Sequence, residues 1–220
     1  MTFSLLYTDE LRGFIKSKVI ASLWIGLPLL AMVIRWVQPD ADGMPLLTFV
    51  AIIVAGIGGT IASVLLSTSI TSERNKHVYD LFLARPVKRR SLLIAKYFAA
   101  LSAVLVAVLL SLLLGAAVES ISGNGAVVSS VKANLESLLV SVTGIAVACS
   151  IGVLFGVLLN SVAVSAILSA YLGNQLSGLI ILPIALIPSL NLVIYCLAIM
   201  IVVPAVVLTV ATAVFNRKNL

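Results

Sequence analysis

From Ser137 to Asn216 the sequence runs for 80 residues without one Asp, Glu, Lys or Arg. Such a stretch is several times the roughly 20 apolar residues that take one helix across the ~30 Å hydrocarbon layer of a bilayer, so it must fold back on itself. Turn chemistry predicts where. Asn160-Ser161 divides a span over about 138–159 from one over about 162–182, and Pro183, Pro188, Ser189 and Asn191 mark a link, either broken or folded as a re-entrant hairpin, to a last span over about 192–215. Pro204 lies inside that last span and is expected to kink it, since proline removes one backbone bond and clashes with the preceding turn.

The first half extends the same logic. Apolar runs over about 19–37, 45–70 and 92–118 predict three more spans, which makes six. Overall 61% of the residues are hydrophobic and 10% charged, far from the mixture of a water-soluble domain. The runs are continuous and do not alternate, so helices rather than barrel strands must satisfy the backbone. The expected fold class is all-α, a polytopic membrane protein forming one domain over residues 1–220. Residues 38–44, with Pro39, Asp40, Asp42 and Gly43, read as a tight turn, and Glu119, Gly123, Asn124, Lys132 and Glu136 as a polar link between the third and fourth spans. Lys96, near the start of the third span, is expected to snorkel to the membrane boundary.

Before the first span, Phe3, Leu6, Tyr7, Leu11, Phe14 and Ile15 recur at helical spacing among Asp9, Arg12, Lys16 and Lys18. That pattern predicts an amphipathic helix over residues 1–18 lying in the interface. The acidic residues and the lack of a small-residue cleavage site predict that this segment is retained. Short loops on the cytoplasmic side carry the excess of Lys and Arg. With six spans and both termini inside, twelve of the fourteen basic residues fall on that side, and only Arg35 and Lys132 fall outside. The net charge of +6 thus reads as a topology signal, with no nucleic-acid partner required.

Small residues recur every fourth position in four spans: Ala55, Gly59, Ser63 and Ser67; Ala99, Ala103, Ala107, Ser111 and Gly115; Gly144, Ala148, Gly152 and Gly156; Ser161, Ser165, Ser169, Gly173 and Ser177. Ladders of this kind let helix backbones approach closely in a solvent that offers no hydrophobic drive between helices. They fit packing within the chain, a subunit interface or a lined pathway. Asn174 and Gln175 put side-chain amides in mid-span, where they serve either as helix glue or as a substrate path. Cys149 and Cys196 sit in apolar runs and read as small core residues rather than as a disulfide or metal site.

What is missing narrows the function. No carboxylate occupies the middle of a predicted span, which argues against ion-coupled pumping. The chain contains no H-E-x-x-H, no Ser-His-Asp set, no acidic metal cluster and no G-x-x-x-x-G-K-[ST] loop, so neither catalytic residues nor a resident metal or cofactor are expected.

One polar stretch remains. Ser72 to Arg90 holds Glu73, Arg74, Lys76, His77, Asp80, Arg85, Lys88, Arg89 and Arg90. Ser72 suits an N-cap, Glu73 the positive end of a helix dipole, and Pro86 an end by about Arg85, so a helix is predicted over residues 72–85. Val78, Leu81 and Phe82 share one of its faces. At roughly 20 Å it is long enough to lie along a membrane or dock in a partner's groove, and too short to cross a bilayer. A solvated basic loop that only sets topology is the plainer alternative.

The run Glu73, Arg74, Asn75, Lys76, His77, Val78, Tyr79, Asp80, Leu81, Phe82, Leu83, Ala84, Arg85, Pro86, Val87, followed by Arg89, Arg90 and Lys96, resembles the loop between the second and third spans of membrane subunits of type-2 ATP-binding-cassette exporters. Those commonly read E-R-E-x-G-T-L-E-x-L-L-x-x-P-V, then basic residues and a later K. Asn75, His77, Val78 and Tyr79 depart from that pattern, and Asp80 stands where glutamate is usual. The resemblance implies that this loop carries a coupling helix seated in a cleft of a separate ATPase, with Glu73, Arg74, His77, Asp80, Leu81, Phe82 and Pro86 as the coupling residues. It further implies two ATPase copies that bind ATP and Mg, a second permease subunit as homodimer or close-relative heterodimer, and a place in a prokaryotic cytoplasmic membrane. Short outside loops and a hydrophobic, weakly polar path through the spans lead to the expectation of a lipid, amphipathic peptide, drug or lipid-linked glycan as cargo rather than a free ion. A membrane anchor that holds a cytoplasmic partner without transport, and an integral-membrane lipid enzyme, are the readings from other classes.

Overall fold

The computed structural model describes residues 3–37, 46–76, 89–121, 127–186 and 191–217. These form seven helices and no strand: α1 (Phe3–Ile15), α2 (Lys18–Val37), α3 (Leu46–Asn75), α4 (Arg89–Ile121), α5 (Val127–Leu158), α6 (Val162–Leu186) and α7 (Leu192–Arg217). Within the described residues, α3 to α7 each contain a stretch long and apolar enough to cross a membrane. The pair α1 and α2, bent by 67° at Lys16-Ser17, meets the same criteria when taken together, making six. The chain is an all-α polytopic membrane protein.

Helix α5 is the axis of the bundle. In its most apolar window 78% of the residues are buried, against 11% for α7, so α5 is enclosed while α7 stands at the periphery. Its widest contact is with α3, and the small-residue ladders make that contact. At Gly152 an added Cβ would lie 2.5 Å from the Ser63 carbonyl oxygen, and at Gly156 it would lie 2.9 Å from Ile70 Cβ. Only hydrogen fits there, so the two backbones touch. On its next face α3 meets α6 through hydroxyls: Ser67 Oγ and Ser169 Oγ are 2.8 Å apart, and Ser63 Oγ donates to the Ser169 carbonyl at 3.1 Å. Of the uses open to the ladders, packing within the chain accounts for these.

Helices α1 and α2 lean on α4. Tyr7 and Ser102 bond through their hydroxyls at 3.0 Å, and the Trp24 indole donates to the Ala103 carbonyl at 2.9 Å. Leu6 packs with Ala95. Cys149 and Cys196 are buried free thiols, the latter packed with Ala55 and Val140, as expected of small core residues.

Several boundaries differ from the sequence expectation. The polar link between the third and fourth spans is shorter: helix continues to Ile121 and resumes at Val127, so Lys132 and Glu136 lie on α5. Pro183 sits inside α6, which runs on to Leu186. In a membrane, neighbouring helices and hydroxyls can satisfy a carbonyl freed by proline, so proline is a weaker stop there than in water. The expected turn at 38–44, the greater share of the 72–85 helix, and Pro188 and Ser189 of the expected hairpin fall outside the described residues.

Candidate functional site: the charged end of the bundle

Residues 72–75 do not open a new helix. They are the last turn of α3, so Ser72 is a helix-interior residue and no N-cap. The reason lies across the bundle, where α5 ends and the chain turns at Leu159 to Ser161. Arg74, only 7% exposed, donates through Nη1 to the Val157 carbonyl at 2.5 Å and through Nη2 to the Leu159 carbonyl at 2.7 Å and to Asn160 Oδ1. Asn75 Nδ2 donates to the Asn160 carbonyl at 2.8 Å, and Thr71 Oγ1 donates to the Gly156 carbonyl at 3.1 Å. The last carbonyls of a helix lack intrahelical partners and carry partial negative charge. Here a guanidinium fork satisfies them, and this anchorage holds the end of α3 in helical form.

Glu73 points the other way around α3. Its Oε1 accepts from Lys96 Nζ at 2.7 Å and from Ser69 Oγ at 2.9 Å. Lys96 also donates to Glu10 Oε2 at 2.8 Å. Lys96 is 1% exposed, while the side chains of Glu10 and Glu73 are 20% and 27% exposed. The expectation that Lys96 snorkels is therefore wrong. A buried ammonium is stable only with close counter-charge, and two carboxylates from α1 and α3 supply it more effectively than a stretched side chain reaching water. Burial pushes the Glu10 carboxyl above its ordinary value of 4.5, with the pull of Lys96 acting against that rise and Glu73 and Asp9 adding to it.

Three helices thus meet in one ionic knot: α1 by Glu10, α3 by Glu73 and α4 by Lys96. The next residue of α3, Arg74, fastens a fourth helix, α5. An open groove of about 460 Å³ runs from this knot between α1 and α3, reaching Val162 at the start of α6.

Of the residues singled out from the sequence, Glu73 and Arg74 are brought into this cluster, whereas His77, Asp80, Leu81, Phe82 and Pro86 lie outside the described residues. Asn174 and Gln175 are exposed on α6, away from the knot. An added Cβ at Gly56 would lie 3.5 Å from Asn174 Oδ1, which places that amide beside α3. Sequence reasoning missed Glu10, Asn160 and the burial of Lys96. A signal was present in Lys96 itself, the one charge set inside the third apolar run, which called for a counter-charge from another helix. Among the described residues no group of His, Cys, Asp and Glu could hold a metal ion.

The model of the family described as "ABC-2 family transporter protein" matches residues 5–192, from α1 to the start of α7. No curated protein matches the chain significantly. This chain belongs to the ABC-2 transporter family: it is an integral membrane protein and the membrane subunit of an ATP-binding-cassette transporter, a family whose membrane component works with a separate ATPase.

Proposed function

We propose that the chain is the permease subunit of an exporter that moves a hydrophobic or amphipathic substrate across a prokaryotic cytoplasmic membrane, with both termini on the cytoplasmic side. ATP, with Mg, is hydrolysed by two copies of a partner ATPase. A second permease, identical or closely related, completes the assembly. The cargo is a lipid, an amphipathic peptide, a drug or a lipid-linked glycan.

The ionic knot carries this reading. Residues 77–88 connect α3 to α4 and hold the proposed coupling residues His77, Asp80, Leu81, Phe82 and Pro86. On either side of that connection stand Glu73 and Lys96, 2.7 Å apart. A force delivered to the connection meets two spans whose ends are pinned together, so they move as one lever. Glu10 extends the movement to α1, and Arg74 extends it to the end of α5. A loop that only set topology would not need its flanks bound to each other and to two further helices.

The test is reconstitution. The chain is expected to copurify with its ATPase, and in liposomes Phe82→Ala is expected to break the link between hydrolysis and export while the complex remains intact. Unchanged hydrolysis and export in Phe82→Ala and Glu73→Ala would remove the coupling assignment.

A further inference from the structure

Two helices stand at the edge of the bundle, and they show the bilayer different chemistry. In their most apolar windows 22% of the residues of α6 and 11% of those of α7 are buried. The outward face of α7 carries Ile194, Ile201, Val202 and Val206, each more than half exposed. Its exposed Thr209 turns its hydroxyl back on the Val206 carbonyl of the same helix. Such a surface suits hydrocarbon. Helix α6 does not match it. Asn174, the central residue of its 25, and Gln175 beside it are exposed. Tyr171, 62% exposed, and Gly178 complete one outward stripe with them at helical spacing. The inward face of α6 spends its polar groups inside the chain, where Ser165, Ser169 and Ser177 are buried and bonded. Among the described residues the Asn174 carbonyl accepts from Ser177, and neither side-chain amide has a hydrogen-bond partner. Asn174 lies about 18 Å along the helix from Val162, in the middle of a hydrocarbon layer ~30 Å thick. Lipid tails neither donate nor accept there, and an amide left unbonded in such a medium is costly. This face therefore calls for a cover that brings polar groups to the same depth.

We propose that the outward stripe of α6 from Tyr171 to Gly178 is the surface on which a second copy of this chain packs, with Asn174 and Gln175 hydrogen-bonding across the contact. The chemistry selects an identical partner. A side-chain amide both donates and accepts, so it pairs with its own kind. Two copies inserted in the same direction are related by a two-fold axis along the membrane normal, which sets each residue opposite its counterpart at equal depth. Any other partner would need an amide of its own placed at mid-membrane. Gly178, where an added Cβ would meet nothing within 4 Å, leaves bare backbone one turn further on, as close helix approach requires. Ile167, Leu176 and Leu179, all exposed, flank the stripe and supply apolar packing area. A water-filled path along this face would itself need a facing wall. The inference rests on the reading above for the existence of a second permease, and it names the surface that meets it and makes that permease identical.

The experiment uses the full chain, expressed with its ATPase, in native membranes treated with copper phenanthroline. Cys149 and Cys196 are buried, so the wild-type chain gives the blank. Gln175→Cys is expected to yield a disulfide-linked dimer of this chain, and Ile201→Cys, on the outward face of α7, is expected to yield almost none. Energy transfer between labelled chains in liposomes, followed as lipid is added, measures the strength of association. Asn174→Leu combined with Gln175→Leu should weaken it about tenfold, in line with the loss of an amide contact between helices. Gln175→Asn, which keeps an amide at that position, should leave it close to wild type. Should the double variant fail to fold, the cross-linking decides alone. Equal cross-linking at positions 175 and 201, none at 175, a disulfide from position 175 to a different protein, or association unchanged in the double variant would overturn the proposal. A dimer joined through α7 would leave the two-permease reading standing while this surface falls. If position 175 cross-links and the wild-type complex shows no ATP-driven export in liposomes, the surface stands and the export reading falls.

Discussion

Arg74 of α3 and Val157 of α5 are joined by a 2.5 Å hydrogen bond from guanidinium to carbonyl, across 83 residues of sequence. The same side chain reaches the Leu159 carbonyl, so one fork closes the end of the central helix. Arg74→Ala removes the guanidinium's bonds to those carbonyls in a buried place, and hydrogen bonds to charged groups are worth about 1.5–3 kcal/mol each. A loss of about 3 kcal/mol is expected in thermal unfolding of the detergent-solubilised chain. Arg74→Lys should recover only a fraction of it, because a point charge cannot serve divergent acceptors as a planar fork does.

Lys96→Met should be among the most damaging single changes. It leaves Glu10 and Glu73 facing each other in partial burial, and breaking a buried pair from one side costs about 3–5 kcal/mol. Adding Glu10→Gln and Glu73→Gln to Lys96→Met should restore much of the stability, since no uncompensated charge then remains. Unfolding measurements across the set would show strong non-additivity, as residues sharing one network do.

Glu10 gives the docking of α1 a pH dependence of defined sign. Its carboxyl is raised from the ordinary 4.5, chiefly by burial, so the docked helix holds a proton more tightly than the undocked one. The stabilisation is complete below 4.5 and is lost as pH rises through the raised value. Hydrogen exchange of residues 3–15, corrected for intrinsic rates, should show stronger protection in acid than at neutral pH. Glu10→Gln should flatten that profile and hold it near the acid level.

Contact between α3 and α5 leaves no room at Gly152. Gly152→Ala drives a Cβ to 2.5 Å from the Ser63 carbonyl oxygen and must push the two backbones away from each other, at an expected cost of about 1–3 kcal/mol. Gly26→Ala, where nothing lies within 4 Å, should be neutral or slightly stabilising. Paired melting curves of the two variants would test whether the small-residue ladder is a packing surface.

The orientation is open to direct labelling. Cys149 and Cys196 are both fully buried, so a cysteine introduced as Arg85→Cys is the thiol an impermeant maleimide should meet. In intact cells it should stay unlabelled, and it should react once the membrane is opened. Labelling from outside would reverse the topology and separate residues 77–88 from any cytoplasmic ATPase.

Much of the fold was legible because its determinants are local. The apolar runs, the Asn160-Ser161 break and the four-residue spacing of Gly, Ala and Ser each lie within a few turns of chain, and each reappears in the bundle. The site was legible only in outline. Ser72-Glu73 reads locally as a helix start, and its use as a helix end is decided by Arg74 finding acceptors at Val157 and Leu159. Lys96 reads as a snorkelling base because its partners, Glu10 and Glu73, lie 86 and 23 residues away. Pairing across such separations follows from how the helices pack, which no short window of sequence carries.

The Glu10–Lys96 bond also sets an order on biogenesis. When the ribosome delivers α1, its counter-charge has not yet been synthesised, and three further helical segments must be made before Lys96 enters the membrane. Until then Glu10 has no buried ammonium to meet, and α1 waits at the surface. Helix α1 is therefore fastened only after α4 is in place, which makes its locking a late checkpoint on correct insertion of the spans between them.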